Sequence, residues 1–181
     1  MSRIAVTEFS EMSAPRLRLE EVKHLFALFK TARNAEPNYG LFLLTVYFDS
    51  LLFCLVSIEE MVDTDTRDIL RSLESFAFFK VLRNITTHHS VLSGIKGKFE
   101  RPISRTVSVG IGCGVEFSEQ FHLIPEKLEI IFDIILSERP SEKRTIENAR
   151  NYLSTLKLTG KQIMVVDLTQ AIIADIDPHI A

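Results

Sequence analysis

Apolar residues recur every three or four positions along most of the chain, which is the period of an α-helix. The first such segment, from about Leu17 to Arg33, places Val22, Phe26 and Phe29 on one side and charged residues on the other. Pro37 prevents its continuation, because proline cannot donate the next helical hydrogen bond. The pattern predicts an amphipathic helix that packs one face against the rest of the protein.

A second helix is predicted from about Tyr39 to Met61, and nearly all of it is apolar. Its 18 residues from Leu41 to Ile58 reach the minimum length of a membrane span. Asp49 stands near the middle, however, where a carboxylate in a bilayer would cost about 2.5 to 3.5 kcal/mol. We therefore predict a core helix of a soluble bundle that does not enter a membrane, with Glu59 and Glu60 at its solvated end.

A third helix is predicted from about Arg67 to Ser93, after the capping residues of "VDTDT" and before Gly94. Two more helices are predicted at about Glu126 to Leu136 and Glu142 to Leu156. The last segment, Lys161 to Ile176, is compatible with a strand at its start, but Val165, Leu168, Ile172 and Ile176 favour a final helix. Together these segments predict a mostly all-α fold, a bundle of five or six helices in a single domain over residues 1–181.

The pattern changes between about residues 96 and 119, where apolar residues alternate with small or polar ones. In "TVSVGIGCGVEF" the period is two and three glycines interrupt the run. We predict a small β-hairpin or extended insertion around residues 106–117.

Composition narrows the class of protein without identifying a function. The chain has 46% hydrophobic residues and a formal net charge of −3, so it can bury a substantial core. Its two cysteines lie in unlike contexts and its histidines lack ligand spacing, so we predict no disulfide framework, no metal site and no cofactor. No secretion signal is recognisable at the start, and a cytoplasmic location is expected.

Polar residues accumulate in one stretch of the third predicted helix, "FKVLRNITTHHSVLSG". Lys80, Asn84 and His88 are four residues apart and share one face, with Arg83 beside them. His89 falls on the apolar side instead. We therefore favour His88 over His89 as a chemically active residue, and His89 is the second choice.

The same region concentrates positive charge. Six basic residues and one acid between Lys80 and Arg105 give a net charge of +5, which leaves −8 on the remaining chain. Such a patch favours a polyanion held at one place. The candidate RNA-binding residues, beside Arg83, are Lys80, Lys96, Lys98, Arg101 and Arg105.

The segment "RNITTH", Arg83 to His88, resembles the R-x4-6-H motif of the HEPN superfamily (higher eukaryotes and prokaryotes nucleotide-binding), in which a polar residue, often asparagine, follows the arginine. The resemblance implies an α-helical bundle that forms a homodimer. It also implies a metal-independent endoribonuclease of a toxin-antitoxin, abortive-infection or CRISPR-linked system, with RNA as substrate and, in a toxin-antitoxin system, an antitoxin protein as partner.

Cleavage of RNA without a metal requires a base for the 2′-OH proton, an acid for the leaving oxygen and a cation for the phosphorane. Histidine suits the proton transfers and arginine can grip two phosphate oxygens. We expect His88 to act as acid or base, Arg83 as phosphate clamp and Asn84 as the residue that orients them, leaving a 2′,3′-cyclic phosphate. Five residues on an ideal helix separate two side chains by about 140°, so helix loosening near Thr87 or a second protomer is needed.

Other interpretations remain open from the sequence. In one of them, Arg83 and His88 serve only as a structural ion-pairing and capping pair at a helix end. Asp49 either satisfies a neighbouring polar group in the core or lies near the site as a buried carboxylate. The alternative function is a non-catalytic helical module that binds RNA, a nucleotide or a partner protein.

Overall fold

The computed structural model describes residues 11–32, 37–89, 103–109 and 117–181, with side chains described for residues 11–32, 43–85 and 121–181. In these residues seven α-helices surround one cluster of buried side chains, next to a two-stranded sheet. The helices are α1 (Ala14–Ala32), α2 (Pro37–Met61), α3 (Thr64–Ser72), α4 (Glu74–His89), α5 (Pro125–Glu138), α6 (Lys143–Leu158) and α7 (Val165–Ile176). The predicted mostly all-α bundle is confirmed.

The predicted third helix is wrong in one respect, because the chain forms two helices where the sequence predicts one. Leu73 adopts an extended conformation (φ −73°, ψ 118°) between α3 and α4. On α3 only Leu70 is buried, whereas the start of α4 is buried on every side from Ser75 to Phe79. A surface helix and a core helix need different directions, so tertiary packing breaks the segment although it contains no glycine or proline.

Two paired strands are present as predicted, but they cover the predicted segment 106–117 only at residues 106–109 and 117. Strands β1 (Ile103–Val109) and β2 (Phe117–Leu123) pair antiparallel, with Ile103 opposite Leu123 and Val109 opposite Phe117. Residues 110–116 lie outside the described part of the chain. The backbone N–H of Leu123 donates to the carbonyl of Ile163 at 2.9 Å, so the hairpin is anchored to the segment that precedes α7.

Helix α4 is the central element of the bundle and contacts α2, α3, α6 and α7. Its buried residues are mostly aromatic or aliphatic, and they extend over about three turns to Ile85, which is fully buried. In residues 43–61 of α2 most apolar side chains are buried or half-buried, whereas Val46, Phe53 and Met61 are exposed. None of the helices in the described residues combines the length and apolarity that crossing a membrane requires.

Side-chain caps fix the junction between α2 and α3. The Asp63 carboxylate accepts a hydrogen bond from the backbone N–H of Thr66 at 2.9 Å, which caps the start of α3 as the sequence predicts. From α3, Arg67 donates to the carbonyl oxygens of Glu59 (2.9 Å) and Val62 (3.1 Å). Arg67 thereby satisfies carbonyl groups that the end of α2 leaves without helical partners.

Candidate functional site

A buried glutamate near the C-terminal end of α2 organises the candidate site. The side chain of Glu59 is only 6% exposed, and its two oxygens have different partners. Oε1 accepts from Nε of Arg71 on α3 at 2.6 Å, and Oε2 accepts from Nζ of Lys80 on α4 at 2.7 Å. The prediction of a solvated helix end is therefore wrong for Glu59 and correct for Glu60, which is exposed.

The charge of Glu59 is retained by these partners. Burial alone would raise the pKa of Glu59, but the hydrogen bonds and charges of Lys80 and Arg71 outweigh burial, so the pKa lies below its usual value. Local spacing does not predict this arrangement, because it brings together residues 12 and 21 positions apart on three helices.

A basic cavity of about 310 Å³ opens beside Glu59. Helix α3 contributes Arg67 and Arg71 to its lining, and α4 contributes Lys80 and Arg83. Four cationic side chains therefore face two carboxylates, those of Glu59 and Glu60. An anion that enters this cavity would meet more positive than negative charge.

A second cavity of about 240 Å³ shares Arg71 and Lys80 with the first. Its other lining residues come from α6, where Arg144, Thr145 and Asn148 supply polar groups, and from the apolar start of α4. Arg144 is exposed and makes no hydrogen bond or ion pair in the part of the chain that the structure describes. We call the two adjoining cavities the basic groove.

The structure places Lys80, Arg83 and Asn84 on the same helix, next to this groove. Arg83 is half-buried, lines the first cavity and has its guanidinium carbon 6.0 Å from the ring centre of Phe53. Asn84 is half-buried one position further on and does not line either cavity. Of the predicted RNA-binding residues, Lys80 is the one whose side chain the structure describes, and it forms an ion pair with Glu59.

The remaining predicted residues lie beyond the described side chains. Helix α4 continues through His89, but the side chains of His88 and His89 are outside the described residues. Residues 96, 98 and 101 are also outside the described residues. For Arg105 the structure describes the backbone, which is part of β1, but not the side chain. Because α4 is helical past Thr87, the backbone directions at Arg83 and His88 differ by about 140°.

Among the described residues, Asp49 has no hydrogen-bond or ion-pair partner, contrary to the interpretation that it satisfies a polar neighbour in the core. It is half-buried on α2, and its Oδ1 atom is buried without a hydrogen-bond partner. Burial raises the pKa of Asp49 to about 6. The carboxyl group therefore titrates close to neutral pH.

Among the described side chains, no three histidine, cysteine, aspartate or glutamate residues are grouped so that they could hold a metal ion. The residues that sequence reasoning missed are Arg67, Arg71 and Arg144. The first two are four apart on one predicted helix, which is a detectable signal for a shared face. Arg144 has no such signal, because only the folded chain brings α6 to α4.

Comparison of the chain with protein-family models, with curated proteins and with solved structures gave no match.

Proposed function

We propose that this protein is a metal-independent endoribonuclease of the HEPN-like kind. The observation that carries the proposal is the position of Arg83, on the central helix at the wall of a cavity lined by three further cations. An arginine in that place can bind a phosphate whose negative charge neighbouring cations also attract. His88 follows on the same helix, as the R-x4-6-H motif requires.

In this mechanism Arg83 holds the scissile phosphate and stabilises the charge that develops on it. His88 either accepts the proton of the 2′-OH as the base or donates a proton to the departing 5′-oxygen as the acid. Asn84 orients the imidazole or the phosphate through its amide. Attack of the 2′-oxygen on phosphorus breaks the bond to the 5′-oxygen and yields a 2′,3′-cyclic phosphate. His89 is the second choice for the proton transfer.

The active unit in this proposal is a homodimer. Since α4 is continuous through His89, loosening of the helix near Thr87 does not bring Arg83 and His88 to one side. A second protomer can supply the missing side chain. Phe53 is exposed beside Arg83, and Val46 is exposed two turns before it on α2. We assign this apolar face of α2 to the contact with the second copy.

The biological role that accompanies this activity is that of a toxin or phage-defence effector that cleaves cellular RNA in the cytoplasm. An antitoxin protein would then restrain it. The support for this part of the proposal is the resemblance of "RNITTH" to the HEPN motif.

The test is digestion of end-labelled RNA by the purified protein in EDTA, with analysis of the product ends. Wild type should cleave and leave cyclic phosphate, whereas Arg83→Ala and His88→Ala should lose at least a hundredfold in rate. His179→Ala and Arg139→Ala are matched controls, because both residues are exposed and neither lines the cavities of the basic groove. Equal cleavage by His88→Ala and wild type would refute the assignment.

A second function, a non-catalytic module that binds RNA, a nucleotide or a partner protein, is favoured by a different observation. No histidine lines the basic groove among the residues that the structure describes, so the groove can bind an anion without chemistry. Binding of RNA by a well-folded dimer, without cleavage in any variant, would establish this alternative.

A further inference from the structure

The basic groove carries a charge opposite to that of the molecule as a whole. Its cavities are lined by five cationic side chains and two carboxylates, a net charge of +3 on a chain of net charge −3. The rest of the protein therefore carries −6. This contrast favours an anionic ligand at the groove and disfavours indiscriminate binding of polyanions elsewhere.

Glu59 fixes the donors of the groove before any ligand arrives. It engages only Nε of Arg71, which leaves the two terminal nitrogens of that guanidinium outside the pair. It engages Lys80 through one hydrogen bond, and the ammonium group can donate three. Arg71 and Lys80 are 56% and 28% exposed in their side chains, so both remain accessible while Glu59 holds their position.

The arginine side chains at the two ends of the groove differ in how they are held. At one end Arg67 is held by the carbonyl oxygens that end α2, next to Arg83. At the other end Arg144 projects from α6 without a partner in the described residues, beside Thr145 and Asn148. Cationic groups are therefore distributed along the groove and do not converge on one point.

We propose that the basic groove binds the phosphodiester backbone of single-stranded RNA, with Arg71, Lys80 and Arg144 as phosphate ligands. The groove would guide the strand toward Arg83, and this inference rests on the proposed function in that RNA is taken as the substrate. Consecutive cavities suit the evenly spaced charges of a strand, and guanidinium groups match phosphate oxygens in pairs. Thr145 and Asn148 can bind a sugar hydroxyl or a base edge.

The experiment measures binding of a fluorescent single-stranded RNA oligonucleotide to the full chain carrying His88→Ala, which prevents loss of the probe by cleavage. Adding Arg144→Gln should weaken binding about tenfold, the effect of one charge-assisted hydrogen bond. It should also reduce the slope of log K against log salt concentration by about 0.7. Because Arg144 has no partner in the described structure, the substitution should leave folding intact.

The matched control is Lys143→Gln. Lys143 precedes Arg144 on α6, is exposed and does not line either cavity. It should change RNA affinity less than twofold. Equal effects of the two substitutions, or no effect of either, would overturn the groove as the binding site.

The outcomes separate this inference from the proposed function. RNA cleavage by wild type together with unchanged binding in the Arg144→Gln variant would refute the groove and leave the nuclease standing. Loss of binding with Arg144→Gln in a protein that never cleaves RNA would support the groove and refute the nuclease. Absence of RNA binding by every variant would refute the inference. An acidic protein would then be the candidate ligand of the groove.

Discussion

The Oε2 atom of Glu59 lies 2.7 Å from Nζ of Lys80, so a buried carboxylate on α2 holds the lysine of α4 that stands one turn before Arg83. The same carboxylate holds Arg71 on α3. One acidic residue therefore connects three helices at the wall of the basic groove. It links the stability of the bundle to the arrangement of the cations that we propose as RNA ligands.

We expect Glu59→Gln to lower the free energy of unfolding by about 1–3 kcal/mol at pH 7, because a buried charge is lost while its cationic partners remain. The pKa of Glu59 is lowered by folding, so its contribution is present above the usual glutamate pKa and is lost as pH falls through the lowered value. Urea unfolding of both proteins between pH 3 and 7 measures the difference, which should narrow below about pH 4.5.

Glu60→Gln serves as the control for this prediction. Glu60 is adjacent in sequence but exposed, and its replacement should change the free energy of unfolding by less than about 0.5 kcal/mol. A constant difference between Glu59→Gln and wild type from pH 3 to 7 would show that Glu59 does not act through its charge.

The helical period predicted most of the fold because it depends on local spacing. Helix α2 begins two residues before its predicted start and ends at its predicted end, whereas the predicted β segment 106–117 overlaps the two strands only at residues 106–109 and 117. The break at Leu73 could not be predicted, since nothing local interrupts a helix there. It arises because Leu70 and Phe76 must both reach the core from helices of different direction.

The candidate site was predictable only in part. Lys80, Arg83 and Asn84 share a helix, so their spacing placed them together, and the resemblance directed attention to them. Glu59 was misjudged because its position beside Glu60 at a helix end suggests solvent, and only tertiary contacts with α3 and α4 bury it. Arg144 joins the groove through the packing of α6 on α4, which sequence spacing does not encode.

We expect Asp49→Asn to stabilise the protein by about 1–3 kcal/mol at pH 7. Folding raises the pKa of Asp49 from 3.8 to about 6, so between these two pH values the folded state binds a proton that the unfolded state has released, and above pH 6 the carboxylate is ionised in both states. The ionised carboxylate therefore costs stability above pH 6, and this cost disappears as pH falls toward the ordinary aspartate value near 4. Thermal unfolding at pH 4, 5, 6 and 7 should show a gain that grows with pH.

Asp68→Asn is the matched control for Asp49, because Asp68 is exposed on α3. It should alter stability by less than about 0.5 kcal/mol. A stabilisation by Asp49→Asn that is equal at pH 4 and pH 7 would contradict the raised pKa.

We expect Phe53→Ser to weaken the proposed homodimer while leaving the fold intact. Phe53 is 48% exposed and lies beside Arg83, so its ring adds apolar area to the surface assigned to the second copy. Loss of a buried aromatic anchor at such a contact costs about 2 kcal/mol or more, roughly a thirtyfold increase in the dimer dissociation constant. Sedimentation equilibrium measures the change.

Ile130→Ser is the control for the dimer contact. Ile130 is 60% exposed on α5, a helix that packs against α6 and is not part of the α2 face that carries Val46 and Phe53. Its replacement should leave the dissociation constant within a factor of two. A monomeric wild type, or equal dissociation constants for the two variants, would refute the assigned dimer surface.

We expect Gly160→Ala to destabilise the protein by about 1 kcal/mol through backbone conformation alone. Gly160 follows the end of α6 with φ +64°, a left-handed conformation that glycine adopts without strain. No heavy atom lies within 4 Å of the added Cβ, so a steric clash does not contribute. Gly160→Asn should cost less than Gly160→Ala, because asparagine tolerates this conformation better than other residues. Chemical denaturation of the three proteins measures the order, and equal stability of the alanine variant and wild type would contradict the left-handed end of α6.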